Sequence, residues 1–187
     1  MAPEIIDGQR SDERANIFSL GTILYWLTTG KLPFEANNPS ALFKRILDGE
    51  YDHPQMVEPK IGNGLSKIIE KTLEPNREAR YPNVQALIEA LKQDLKPLNL
   101  EMPEVVSREF LTHPISYSEK LSEDLVHRLT ELGRQAVKEK HLGHAMDCFN
   151  RVLALEPQNK EVHQAMKRIL RQRGWTKRIK KISIAAG

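Results

Sequence analysis

The sequence is poor in cysteine, in long apolar runs and in strand-type alternation, and each scarcity narrows the field. Cys148 is the only cysteine, which excludes an internal disulfide and a multi-cysteine zinc site and suits a reducing compartment. No apolar run approaches the roughly 18–20 residues that a membrane span needs. The start, Met-Ala-Pro-Glu-Ile-Ile-Asp, has neither the basic opening nor the apolar stretch of a signal peptide. A cytoplasmic location is therefore expected. No segment sustains a period of two, so no strand is expected. What remains is an all-α chain.

Its 187 residues allow one large domain, or one medium domain with an appendage. Apolar residues at 40% and charged residues at 28% suit a soluble globular protein and argue against disorder. The net charge of +3 conceals an asymmetry. Eight cations and no acid lie between Lys167 and Lys181 (Lys167, Arg168, Arg171, Arg173, Lys177, Arg178, Lys180, Lys181). The rest of the chain carries 20 basic against 25 acidic residues, a net of −5. An acidic body bears a basic tail.

Four stretches in the first half read as helices. From Ala15 to Thr29 the apolar residues Ile17, Phe18, Leu20, Ile23, Leu24, Trp26 and Leu27 cover most of the circumference. An amphipathic surface helix would show one stripe, so this pattern predicts a buried central helix. Gly30 ends it and Pro33 bars continuation. Pro39–Leu47 turns Leu42, Phe43 and Ile46 to one face, and Leu65–Leu73 does the same with Leu65, Ile68, Ile69 and Leu73. Asn83 is a good N-cap for a helix through Leu95, with Val84, Leu87, Ile88 and Leu91 inward. Residues 98–121, punctuated by Pro103 and Pro114, lack a clear period and read as a connector that packs as an extended strap. Residues 122–170 are helical again, with breaks at His141-Leu142-Gly143 and at Glu156–Asn159.

Three motifs in the first half stand in order. They are Ala2-Pro3-Glu4, then Asn16-Ile17-Phe18-Ser19-Leu20-Gly21 followed by Gly30 and Pro33-Phe34, then Pro75-Asn76-Arg77-Glu78-Ala79-Arg80. Together they resemble the A-P-E, the D-x-W-S-L-G…G-x-x-P-F and the P-x-x-x-x-R segments of the protein kinase family. One such string is weak, since A-P-E occurs by chance in many chains. The likeness covers about residues 1–97 and implies the helical lower half of a kinase C-terminal lobe. It further implies that Glu4 and Arg80 form a buried ion pair and that Met1, Ala2 and Pro3 belong to the substrate-side loop. Asn16 departs from the family's usual Asp and lacks the charge that would strengthen its hydrogen bonds to the catalytic loop. Trp26 replaces an acidic residue of many relatives; a tryptophan on such a helix is expected to pack in core or groove.

A kinase of this family needs a Gly-rich loop, a strand-borne Lys, an H-R-D loop with its Asn, and D-F-G for Mg²⁺. None of these strings occurs, and Gly62-Asn63-Gly64, the one G-x-G, reads as a turn. No catalytic, cofactor-binding or metal-binding residue is therefore assigned. ATP and Mg²⁺ are implied only for an intact parent, which would transfer the γ-phosphoryl group to Ser or Thr. Met1 matches the residue that often precedes A-P-E, so an inactive C-terminal fragment of a bacterial-type Ser/Thr kinase is the expectation. A stand-alone interaction module derived from that lobe is the alternative. Its partners would be protein substrates or the remainder of the kinase. Loss of that remainder should expose Ile17, Leu20, Ile23 and Leu27.

In the second half, Leu129, Leu132, Gly133, Ala136, Ala145, Phe149 and Pro157 fall on the framework of a tetratricopeptide repeat, from about Val126. Leu129 and Ala136 stand where the pattern has aromatic residues, so the match is partial. A single repeat cannot bury a continuous core, so docking on the lobe or continuation by Glu161–Leu170 is expected. His141 and His144 lack cysteine or carboxylate partners for a metal, and Cys148 reads as a packed residue. In the tail (171–187), Trp175 and Ile179 lie among the cations ahead of an apolar end. Three uses are open: a juxtamembrane flank on an anionic leaflet through Lys167–Lys181, a solvated helix end, or a nucleic-acid contact. The first fits best, anchoring the parent through a following span. Nucleic acid fits worst, since no fold motif accompanies the charge.

Overall fold

A computed structural model describes residues 1–100 and 104–172. The chain forms two units, Met1–Met102 and Pro103–Gly187. Every regular element among the described residues is helical, as expected. The first unit contains α1 (Pro3–Ile6), α2 (Glu13–Thr29), α3 (Pro39–Asp48), α4 (Pro54–Val57), α5 (Asn63–Thr72) and α6 (Val84–Leu95). The second contains α7 (Glu104–Thr112), α8 (Pro114–Lys138), α9 (Leu142–Leu155) and α10 (Lys160–Gln172).

Local chemistry sets the ends of these helices. Asp12 caps α2 by accepting from the Arg14 N–H, and Gly30 closes it at φ 71°, a conformation costly for other residues. Asn38 caps α3 through the Ala41 N–H, and Asn83 caps α6 through the Ala86 N–H, at 2.8 and 2.9 Å. Both have Asn where the side-chain oxygen meets an otherwise unpartnered donor.

In the first unit, α2 rests on α5 and α6. Gly21 makes the α2–α5 approach possible, since a Cβ there would lie 2.1 Å from Thr72 Oγ1. One core cluster gathers Phe18, Tyr25, Phe34, Ile69 and Leu73; another joins Ile17 to Ile68 and Leu87. Helix α2 is nonetheless not buried all round. Ala15, Ile17, Phe18, Gly21 and Tyr25 are buried, whereas Ile23, Trp26 and Leu27 are 49%, 52% and 66% exposed. The expected exposure thus holds for Ile23 and Leu27, but Ile17 is fully buried and Leu20 half-buried. Ile88, expected inward, and Phe43, which shares a face with Leu42 and Ile46, are also over a third exposed.

The strap expected over 98–121 is helical from residue 104 onward except at His113: α7 fills much of it, and α8 begins at Pro114. Proline at a first helical position forfeits only a donor that has no partner there, so Pro114 starts a helix here. Phe110 and Tyr117 meet edge to face, 5.8 Å apart, where α7 folds onto α8. Helices α8 and α9 pair antiparallel around Gly133, where a Cβ would lie 2.4 Å from the Phe149 ring. Ala145 and Phe149 are buried, Leu132 is half-buried and Pro157 is exposed in the turn before α10. Val162 and Ile169 fix α10 in the same core, and Arg134 of α8 donates to Glu161 of α10 at 2.8 Å.

Close approach at Gly133 has a measurable consequence. Gly133→Ala should lower unfolding free energy by about 1–3 kcal/mol through overpacking against Phe149. Gly143→Ala, with nothing within 4 Å of the added carbon, should be neutral or stabilising by up to about 1 kcal/mol. Urea unfolding of both variants checks the pair, and equal losses would contradict the packing.

Candidate functional site

The best-defined polar constellation of the first unit is built around Arg80. Its guanidinium is buried on a chain segment with little regular structure, a 3₁₀ turn at Arg77–Ala79. Nη1 donates to Glu4 Oε1 at 3.0 Å and Nη2 to Glu4 Oε2 at 2.9 Å, a bidentate pair. Nη1 also donates to the Arg14 carbonyl at 3.0 Å, Nη2 to the Pro75 carbonyl at 3.1 Å, and Nε to the Glu74 carbonyl at 2.7 Å. A guanidinium has five N–H donors, and these five acceptors match them. The Phe18 ring lies 4.9 Å below the cation, adding a cation–π contact.

Burial pushes the Glu4 carboxyl up, but hydrogen bonds from Arg80 and from its own backbone, with the Arg80 charge, outweigh this. Its pKa therefore lies below the ordinary 4.5. The anion is the form that the site holds.

Pro33 and Phe34 are buried beside this anchor. Phe34 stacks on Phe18 at 5.9 Å and meets Tyr51 edge to face at 5.4 Å. The Tyr25 hydroxyl donates to the Asp52 carbonyl at 2.9 Å, tying α2 to the loop before α4. Ala2 and Pro3 are buried, while Met1 and Asn16 are exposed. Trp26 lies on the open side of α2, neither in core nor in groove. Sequence pattern singles out Glu4 and Arg80, but it carries no signal for the backbone carbonyls of Arg14, Glu74 and Pro75, because any residue supplies one.

The second unit offers little for catalysis. Contrary to the sequence expectation, His141 and His144 each have a carboxylate or cysteine neighbour: exposed His141 lies 3.6 Å from Glu139, and His144 Nε2 lies 3.8 Å from Cys148 Sγ. Cys148 is buried, and burial, then the Asp147 charge, push its thiol up to about 11. A thiol held protonated at neutral pH is a packing group rather than a nucleophile. Among the described residues no cluster of three or more His, Cys, Asp or Glu side chains could hold a metal.

Arg80→Ala should destabilise by about 3–5 kcal/mol, since it leaves the Glu4 carboxylate buried and unpaired. Arg77→Ala should cost under about 1 kcal/mol, because that side chain lies nearer the surface, at 3.6 Å from Glu78. Thermal unfolding of the two variants is the check, and equal small losses would deny the anchor its role. The depressed Glu4 value adds stability above pH 4.5 that is lost as pH falls through the folded-state value. Glu4→Gln should therefore flatten the acid limb of the stability curve.

The chain is 37% identical over 92 residues to the tyrosine-protein kinase MasK of Myxococcus xanthus, which is 49% of this chain and 14% of that protein. It is 36% identical over 105 residues to CBL-interacting serine/threonine-protein kinase 26 of Arabidopsis thaliana, covering 55% of this chain and 23% of the relative. A probable serine/threonine-protein kinase of Clostridium acetobutylicum is 30% identical over 49% of this chain and 14% of its own length. The chain thus spans less than a quarter of these relatives. The protein kinase domain model matches residues 1–97, over half of the chain, which therefore belongs to the protein kinase family.

Proposed function

We propose that residues 1–97 are the substrate-side, helical part of a bacterial-type Ser/Thr protein kinase and that the chain alone does not transfer phosphate. Motif order and the Glu4–Arg80 anchor carry this assignment. A-P-E and the later arginine are far apart in sequence yet form one bidentate pair at 2.9 and 3.0 Å. The intact kinase would pass the γ-phosphoryl of Mg·ATP to a Ser or Thr hydroxyl of a protein substrate. This chain's residues do not fit the nucleotide: it has no H-R-D, D-F-G or Gly-rich string, and no strand carries a lysine among the described residues. Without the D-F-G aspartate that would hold Mg²⁺ and the H-R-D aspartate that would accept the hydroxyl proton, nothing here assembles the transfer.

The exposed apolar side of α2, with Ile23, Trp26 and Leu27, supports a role as a seat for the remainder of the kinase. It equally suits the alternative, an interaction module that reuses the lobe. The second unit would serve as a tetratricopeptide-like extension. Residues 173–187, which carry most of the basic tail, lie outside the described residues. Their cations suit an anionic membrane surface, each adding up to about 1 kcal/mol of attraction, and a span beyond them would anchor the parent.

Mg·ATP turnover on the purified chain decides the first point: no phosphate transfer to itself or to a generic Ser/Thr substrate is expected. Measurable turnover abolished by Arg80→Ala would overturn it. Mixing the chain with a kinase segment carrying the missing motifs should bind and lower the accessibility of Trp26 to an aqueous quencher, which an unrelated interaction module would not do.

A further inference from the structure

Helix α8 carries two unmatched surfaces at opposite ends. At its start, where α7 folds against it, Leu111 and Ile115 are 77% and 75% exposed and Phe110 45%. Glu109 and Glu119, both exposed, flank this apolar corner and have no ion-pair partner among the described residues. Near its other end, α8 and α10 border a groove of about 340 Å³ with an apolar floor of Val137, Phe149, Ala165 and Ile169. Lys138 and Arg168 rim the groove. Neither has an ion-pair partner among the described residues, whereas the neighbouring Arg134 is held by Glu131 and Glu161.

Corner and groove are complementary in both respects that govern association. Two large aliphatic side chains match an apolar floor, and two carboxylates without an ion-pair partner among the described residues match two such cations. They cannot satisfy each other within one copy, because the helix rises by about 35 Å between Ile115 and Lys138. We propose that the α7–α8 corner of one copy docks into the α8–α10 groove of a second copy, head to tail. An anionic membrane or nucleic acid would meet the cationic rim alone and leave the apolar floor and the α7–α8 corner unmatched. A head-to-tail contact need not close on itself, so each copy that docks leaves one corner and one groove open. Two aliphatic anchors and two pairs of exposed charges predict a weak, concentration-dependent association.

Two variants separate the surfaces. Leu111→Glu with Ile115→Glu removes the corner, and Lys138→Glu with Arg168→Glu removes the groove. All four positions are exposed, and circular dichroism verifies that the helices persist. In sedimentation the unaltered full chain should give an open series of species that grows with concentration, and each double variant should lose that series. Labelled separately and mixed, the two variants should form a one-to-one pair that grows no further, with energy transfer above that of either variant mixed with itself. A charge test covers the case in which an apolar change disturbs the fold. Glu109→Lys with Glu119→Lys should fail to associate alone and should pair with the groove variant. An unaltered chain that stays at the mass of one copy would overturn the proposal. So would association undiminished in both variants, or a mixture that does not pair.

Discussion

Burying one guanidinium imposes the constraint on which the first unit depends. A cation removed from water must recover five hydrogen bonds and a counter-charge, or the site is destabilising rather than neutral. Arg80 recovers them from four places along the chain: Glu4, Arg14, Glu74 and Pro75. Two of those places have no regular structure to hold them, and the others are a four-residue helix and the first turn of α2. Such short elements do not persist alone. Because the set is all or nothing, each segment is fixed by the requirements of the others.

Helix α2 transmits that constraint. Phe18 lies under the Arg80 cation and against Phe34, and one turn later Gly21 lets Thr72 of α5 approach. Tyr25 then reaches the Asp52 carbonyl. Three successive turns on one side are thus committed to the anchor, to a neighbouring helix and to a loop. The opposite side, with Ile23, Trp26 and Leu27, has no equivalent neighbours among the described residues of the first unit. Sequence pattern shows apolar residues all round and so implies burial all round. What it cannot convey is which neighbours are present, and burial is a property of neighbours. The same limit explains Phe43 and Ile88, apolar residues at helical spacing that nonetheless reach solvent.

Other features were legible because they obey local chemistry. Asn83 caps α6 in the way its side-chain oxygen dictates, and Gly30 ends α2 in the left-handed conformation. Gly133 and Phe149 were legible as a pair, since a missing side chain and a large ring at matched positions imply helices in close contact. The stretch around Pro103 and Pro114 was not. Proline breaks a helix from within and begins one from its first position, and composition alone does not say which applies. Here the Phe110–Tyr117 contact gives α7 a reason to fold back on α8, a tertiary cause invisible in a window of a few residues. The Arg134–Glu161 link was equally hidden, because it joins side chains 27 residues apart.

The two units therefore use arginine in opposite ways. Arg80 is desolvated, and its partner Glu4 is held as an anion by hydrogen bonds that water and salt do not reach. Arg134 lies at the surface, with 47% of its side chain exposed. An exposed pair gains little net stability because water competes for each charge and the ionic atmosphere screens the attraction within about 8–10 Å. The second unit must then owe its cohesion to apolar contacts around Phe149, Val152, Val162 and Ile169, and its surface ions to placement rather than strength. Arg134 is neutralised where it borders the groove, which leaves Lys138 and Arg168 as the charges a visitor would meet. The first unit is thus stabilised from within by a charge pair, and the second presents its charges outward, where they can select a partner.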